Sequence, residues 1–153
     1  MQSEAFFSPG TACRNAIIHH LNSAKSILKI CVFTISDDLI TAAIIQAKHR
    51  GVNVLILTDN DKLYDLGSDI IQLAKEGIVT RIDNTSNHMH HKFMIVDDQI
   101  LVNGSYNWTR SAANYNQENI IVSREQSLIN LFNKEFDKLW KEMTPFDGMN
   151  VHR

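Results

Sequence analysis

Residues 88–118 carry the side chains best suited to chemistry in this chain: His88, His90, His91, Lys92, Asp97, Ser105, Asn107 and Glu118. His88, His90 and Lys92 recur at every second position. On an extended strand they share one face, and His91 and Phe93 take the other. Two residues of strand span roughly 6–7 Å, so His90 and Lys92 can address one phosphate-sized group. An imidazole beside an ammonium suits nucleophilic or acid–base work at phosphorus. Gly104 permits close backbone approach, and Ser105 and Asn107 add neutral donors for phosphoryl oxygens. Glu118 is the only carboxylate between Asp98 and Glu125. Placed there, it can hold the second nitrogen of a histidine ring and fix its tautomer.

Each of these residues also has a plainer reading. A lone histidine on a strand is more often structural than catalytic, and Ser105 and Asn107 can be turn residues after Gly104. His91 reads as a packing or hydrogen-bonding residue and His88 as a rim contact to substrate. Imidazoles two residues apart can converge on zinc, but no cysteine or spaced third ligand stands nearby, so neither a metal nor a cofactor is expected. Trp108, Tyr106 and Tyr115 offer rings that either pack in the core or stack on the bases of a single strand. Trp108 and Arg110 join His88 as candidate substrate contacts.

The elements that must position these groups alternate. Strands are expected at 5–8, 26–34, 52–58 and 78–82, from their β-branched and apolar runs. Helices are expected at 11–25, with a stripe of Ile17, Ile18 and Leu21, and after Ser36 or Asp37, with a stripe of Leu39, Ile40, Ala43, Ile44 and Ala47. A looser helix is expected over 65–76. Residues 88–96 and 100–103 read as a hairpin turning at Asp97-Asp98-Gln99. Asp97 there fixes backbone rather than touching substrate. A short strand at 120–122 precedes a helix at 124–143 capped by Ser123 and facing inward through Leu128, Phe132, Phe136, Leu139 and Met143. The expected fold is one α/β domain over 1–153, a three-layer α-β-α sandwich with a mixed sheet.

Composition narrows the classes. The chain has 153 residues, 44% hydrophobic and 21% charged, values of a globular domain and not of a disordered or coiled-coil chain. Fifteen Lys+Arg against seventeen Asp+Glu give a net charge of −2, so a polyanion must be met by a local patch and not by the whole surface. Cys13 and Cys31 have no metal-finger or scaffold spacing. The first residues lack a signal-peptide pattern and no apolar run is long enough to span a membrane, so a cytoplasmic location is expected, or a periplasmic or anchored one if a leading segment has been trimmed.

His90-x-Lys92, Asp97, Gly104-Ser105 and Asn107, at these spacings, resemble the HKD signature of the phospholipase D superfamily. The GSYNW and NQEN segments match as well, and FFSPG, RGVNVLILTDN and FNKEFDKLW extend the likeness over nearly the whole chain. The size and the single motif resemble the bacterial Nuc-type endonucleases, with the mitochondrial Zucchini-type proteins as relatives. The zinc insertion and membrane anchor of the latter are not seen, and the bacterial type is preferred. The resemblance implies a homodimer in which His90 of one subunit attacks phosphorus and forms a phosphohistidine, while the second His90 protonates the leaving oxygen. Lys92, Ser105 and Asn107 would neutralise and orient the phosphoryl oxygens, and Glu118 would orient His90. The function it implies is a metal-independent endonuclease on DNA or RNA. The alternative is the same chemistry on a membrane phospholipid such as cardiolipin. A silent binding module is disfavoured by the presence of all five active-site residues.

Overall fold

The two most apolar runs, Ile27–Val32 (β2) and Asn53–Thr58 (β3), lie side by side and parallel in the middle of one sheet. Both faces of these strands are covered, which is why their sequences are nearly continuous in hydrophobics. The structure, a computed structural model, describes residues 3–149 apart from the side chain of Lys62. The remaining strands are β1 (Ser3–Ser8), β4 (Val79–Ile82), β5 (Lys92–Val96), β6 (Ile100–Gly104), β7 (Glu118–Ser123) and β8 (Thr144–Phe146). The helices are α1 (Ala12–Ser23), α2 (Asp38–His49), α3 (Ile70–Lys75), α4 (Arg110–Asn114) and α5 (Gln126–Glu142), with a 3-10 turn at Asn60–Lys62. The sheet order is β1-β7-β6-β5-β2-β3-β4-β8. Only β2, β3 and β4 run parallel; the other pairs are antiparallel.

Two apolar clusters separate the layers. Leu28, Ile30, Val54, Ile56, Met94 and Val102 meet α1, α2 and α3 on one face. Cys31, Leu57, Phe93, Ile95 and Leu101 meet Ile129, Phe136 and Met143 of and beside α5 on the other. Each fully buried Leu or Ile contributes about 1.5–3 kcal/mol relative to exposure. The result is the expected α-β-α sandwich with a mixed sheet.

Several elements differ from the sequence expectation. β5 begins at Lys92, so His88, His90 and His91 precede the strand they were assigned to. α3 is confined to six residues, because the chain turns through Gly67 at φ +86° before it. Leu39, expected in the α2 stripe, is largely exposed, and Thr41 is buried in its stead. Ser123 lies within β7; it accepts a hydrogen bond from the Glu125 N–H, and Glu125 takes the cap position of α5. β8 was not read at all, since three residues containing Pro145 carry no strand pattern; it pairs with β4 at the sheet edge.

Two motif residues are explained by the fold alone. A Cβ on Gly104 would lie 2.1 Å from the Asn119 carbonyl oxygen, so no larger residue fits where β6 crosses β7. Asp97 and Asp98 form the β5–β6 turn in the left-handed region, φ +53° and +56°. The Asp97 carboxylate accepts from the Lys25, Ser26 and Ile27 N–H groups at 2.8–2.9 Å, tying the hairpin to the start of β2. Burial pushes its pKa up, but the three N–H bonds outweigh this and hold it below the ordinary carboxylate value. We therefore expect Asp97→Ala to lose about 2–3 kcal/mol of stability. With a depressed folded pKa, that contribution is present above the unfolded value of about 3.9 and disappears as pH falls through the folded one. Urea unfolding of both proteins across this pH range checks it. Equal stabilities at neutral pH would contradict it.

Candidate active site

Phe33, just beyond the end of β2, organises the first half of the site. Its N–H donates to the His91 carbonyl at 2.9 Å. Its ring lies 4.6 Å from the His90 ring, 5.4 Å from the His88 ring and 5.6 Å from the Lys92 ammonium. Although residues 88–91 are not in the strand, their alternation holds. Met89 is buried, and His91 turns toward α5, where its Nε2 lies 3.7 Å from Glu135 and its ring meets Phe93 edge-on. His90 and Lys92 share the opposite side. Lys92 Nζ sits 2.8 Å from His90 Nδ1 and donates to the His90 carbonyl, also at 2.8 Å. Burial and then the Lys92 and His88 charges push the His90 pKa below the ordinary histidine value, with Asp59 opposing. Burial also lowers the Lys92 pKa, against the pull of Glu118.

The second half of the site is stitched to the same loop. The Trp108 N–H donates to the Thr34 carbonyl at 3.2 Å, and the Trp108 carbonyl accepts from Ser36 and Asp37 at 2.8 and 3.0 Å. This carries residues 105–108 over the end of β2. Ser105 Oγ donates to Glu118 Oε1 at 2.7 Å and accepts from the Asn119 N–H at 3.1 Å. Asn107 Oδ1 is buried without a hydrogen-bond partner. His90, Lys92, Ser105, Asn107 and Glu118 line one cavity of about 520 Å³. A second cavity of about 510 Å³, with Met89, Leu139 and Met143 as its apolar lining, adjoins it through His90 and His91. The arrangement sets an imidazole, a cation, a hydroxyl and an amide along the wall of one cavity.

Residues 17–140 match the family described as "Cardiolipin synthase, PLD-like domain". The chain belongs to the phospholipase D superfamily. A mitochondrial cardiolipin hydrolase of Chlamydomonas reinhardtii is 46% identical over 123 residues, covering 80% of this chain and 55% of that protein. The corresponding Danio rerio protein is 42% identical over 130 residues, covering 84% of this chain and 57% of the relative. The chain thus spans little more than half the length of these relatives. The crystal structure of Nuc, a phospholipase D family member from Salmonella typhimurium, superposes with a TM-score of 0.88 at 26% identity, covering 94% of this chain and 97% of that one.

Within this PLD-like domain, three expected roles change. Glu118 does not reach His90: Ser105 and Asn116 occupy its oxygens, and Lys92 occupies the ring nitrogen it was expected to hold. Trp108 is 2% exposed and sits in the main apolar cluster with Tyr106, so it has no face for a base; Tyr115 alone of the three rings is exposed. Arg110 opens α4 and pairs with Asp38 at 3.3 Å, outside the lining of both cavities. His88 does line the second cavity, with Nδ1 3.5 Å from both Asp59 and Asp61. These two carboxylates and the imidazole lie within 4.8 Å of one another, close enough to hold a cation. The imidazole pairs with both carboxylates, and we assign them no metal. Phe33, Asp59 and Met89 join the site only through the fold; the signal for Asp59 in the sequence is an acidic residue directly after the buried run of β3. Trp108→Ala should lose about 3–5 kcal/mol of stability. Thermal unfolding checks this, and a normal melting temperature with selectively raised KM would return Trp108 to substrate binding.

Proposed function

We propose that the chain is a metal-independent phosphodiesterase acting through a covalent phosphohistidine on His90, and that its substrate is a nucleic-acid strand. The observation that carries the chemistry is the convergence of His90, Lys92, Ser105, Asn107 and Glu118 on one cavity. His90 attacks phosphorus and the bond to the leaving oxygen breaks, with a proton delivered to that oxygen by a second imidazole. Water, giving its proton to that imidazole, then releases the product and restores His90. Lys92 neutralises the phosphoryl charge in place of a metal, and Ser105 and Asn107 orient its oxygens. The two adjoining cavities on either side of His90 and His91 suit a strand that continues past the scissile phosphate. The name carried by the curated relatives favours a second reading, hydrolysis of a phospholipid such as cardiolipin.

Each chain carries one His90, and the second imidazole in this reading is His90 of another copy, so a two-fold homodimer completes the reaction. The same symmetry lets Glu118 serve the ring of the other copy, since it does not touch its own. An interface of this kind should bury on the order of 1,200–2,000 Å² in total.

In EDTA, labelled single- and double-stranded DNA, RNA and cardiolipin vesicles should identify the substrate, with nucleic acid cleaved and lipid spared. His90→Asn should abolish turnover without unfolding the protein. Activity that is lost in EDTA and restored by zinc or magnesium would end the metal-independent reading. Cleavage of cardiolipin alone would transfer the chemistry to the lipid.

The kcat/KM–pH profile should be bell-shaped, because one imidazole must be neutral and the other protonated. Burial and Lys92 disfavour the charged form of His90, so its acid limb should lie below the ordinary value of about 6.5. Subunit exchange with an equal amount of His90→Ala protein should leave about a quarter of the dimer activity under random pairing. Retention of about half would mean that each chain works alone.

A further inference from the structure

His90 carries the proposed chemistry, yet residues 83–91 belong to no strand. Its backbone is instead held from both sides. After it, the His91 carbonyl accepts from the Phe33 N–H at 2.9 Å. Before it, the Met89 N–H donates to Asp59 Oδ1 at 2.8 Å. Asp59 directly follows β3 and is 0% exposed. Its second oxygen accepts from the Asp61 N–H at 3.0 Å and lies 3.5 Å from His88 Nδ1. A carboxylate taken wholly out of water is tolerated only when hydrogen bonds engage it, and bonds to an ionised acceptor are shorter and stronger than neutral ones. The strongest tether on the loop therefore acts on the His88–Met89 peptide, one residue before His90.

We propose that Asp59 is the positioning residue for His90: its buried carboxylate fixes the Met89 peptide and so sets where the imidazole meets the phosphoryl group. The inference rests on His90 being the nucleophile. Asp59 itself lines neither of the two cavities at His90. It acts through Met89, whose buried side chain locks the same peptide from the other side by packing with Cys31 at 3.5 Å between the sulfurs. A nucleophile displaced by a fraction of an ångström loses rate and leaves binding almost intact.

The test uses the full chain and a chromogenic diester, bis(4-nitrophenyl) phosphate. Asp59→Ala should lower kcat about 100-fold while KM changes less than about twofold, the signature of a misplaced reacting group. Asp59→Asn keeps an oxygen that accepts from Met89 and should recover to within about tenfold of the parent. A folded Asp59→Ala protein with unchanged kcat overturns the proposal, as does an effect confined to KM. If Asp59→Ala does not fold, the unmodified protein still decides. The Met89 amide should exchange slowly with solvent deuterium, and exchange as fast as in an unstructured peptide would refute the tether. An active His90→Asn protein would instead sink the nucleophile reading and leave the Met89 amide result standing, so the two failures are distinguishable.

Discussion

The five residues that continue β2 beyond its last ladder position, 33–37, are the backbone rail on which this site depends. Phe33 bonds the His91 carbonyl, Thr34 accepts from Trp108, and Ser36 and Asp37 return two N–H groups to the Trp108 carbonyl. The two halves of the motif, separated by a hairpin, are thereby brought to one strand end. Without these backbone hydrogen bonds, His90 and Asn107 would sit on independent loops. The rail is itself braced: Asp37 is buried, caps α2 through the Leu39 N–H and pairs with Arg14 at 2.7 Å. Trp108 and Tyr106 belong to the same brace, filling the core beneath the loop they punctuate.

A net charge of −2 for the whole chain does not describe the cavity at His90. Lys92 stands against His90 where the rail begins, at Phe33, with the His88 ring close by. Neutralisation there depends on local density of charge and not on the surface sum. The cluster is also self-limiting. Burial and then the Lys92 and His88 charges lower the basicity of His90. Asp59 and Glu118 set the opposing charge, one fixed in the interior and one held by Ser105 at the cavity wall.

The second layer serves the site from behind. α5 lays Phe132 and Phe136 against Phe93 and the outer side of the sheet, and Glu135 from the same helix meets His91. The alternation of residues 88–92 is therefore anchored on both faces, His91 to α5 and His90 to Phe33. A one-residue slip would exchange them, and the packing on each side forbids it.

Residue types and spacing were enough to gather the candidate residues, which line one cavity, because period-two alternation and a fixed hairpin length are local properties. They placed His90 and Lys92 on one side, assigned Asp97 to the backbone and explained Gly104 by close approach. The layered fold was legible for the same reason, from apolar runs and helical stripes. What local pattern could not carry was contact between segments far apart in the chain. Trp108 looked available for stacking until its neighbours in the core were known, and Arg110 looked close to the cleft until Asp38 claimed it. Glu118 meets Ser105 and Asn116 within its own chain, and not the His90 ring. Asp59, thirty residues before Met89, met its partner only when β3 and the loop before β5 came together. Side-chain alternation is set by the backbone geometry of neighbouring residues, whereas hydrogen-bond partners and burial are set by which strands lie adjacent in the sheet, and that is decided by tertiary structure.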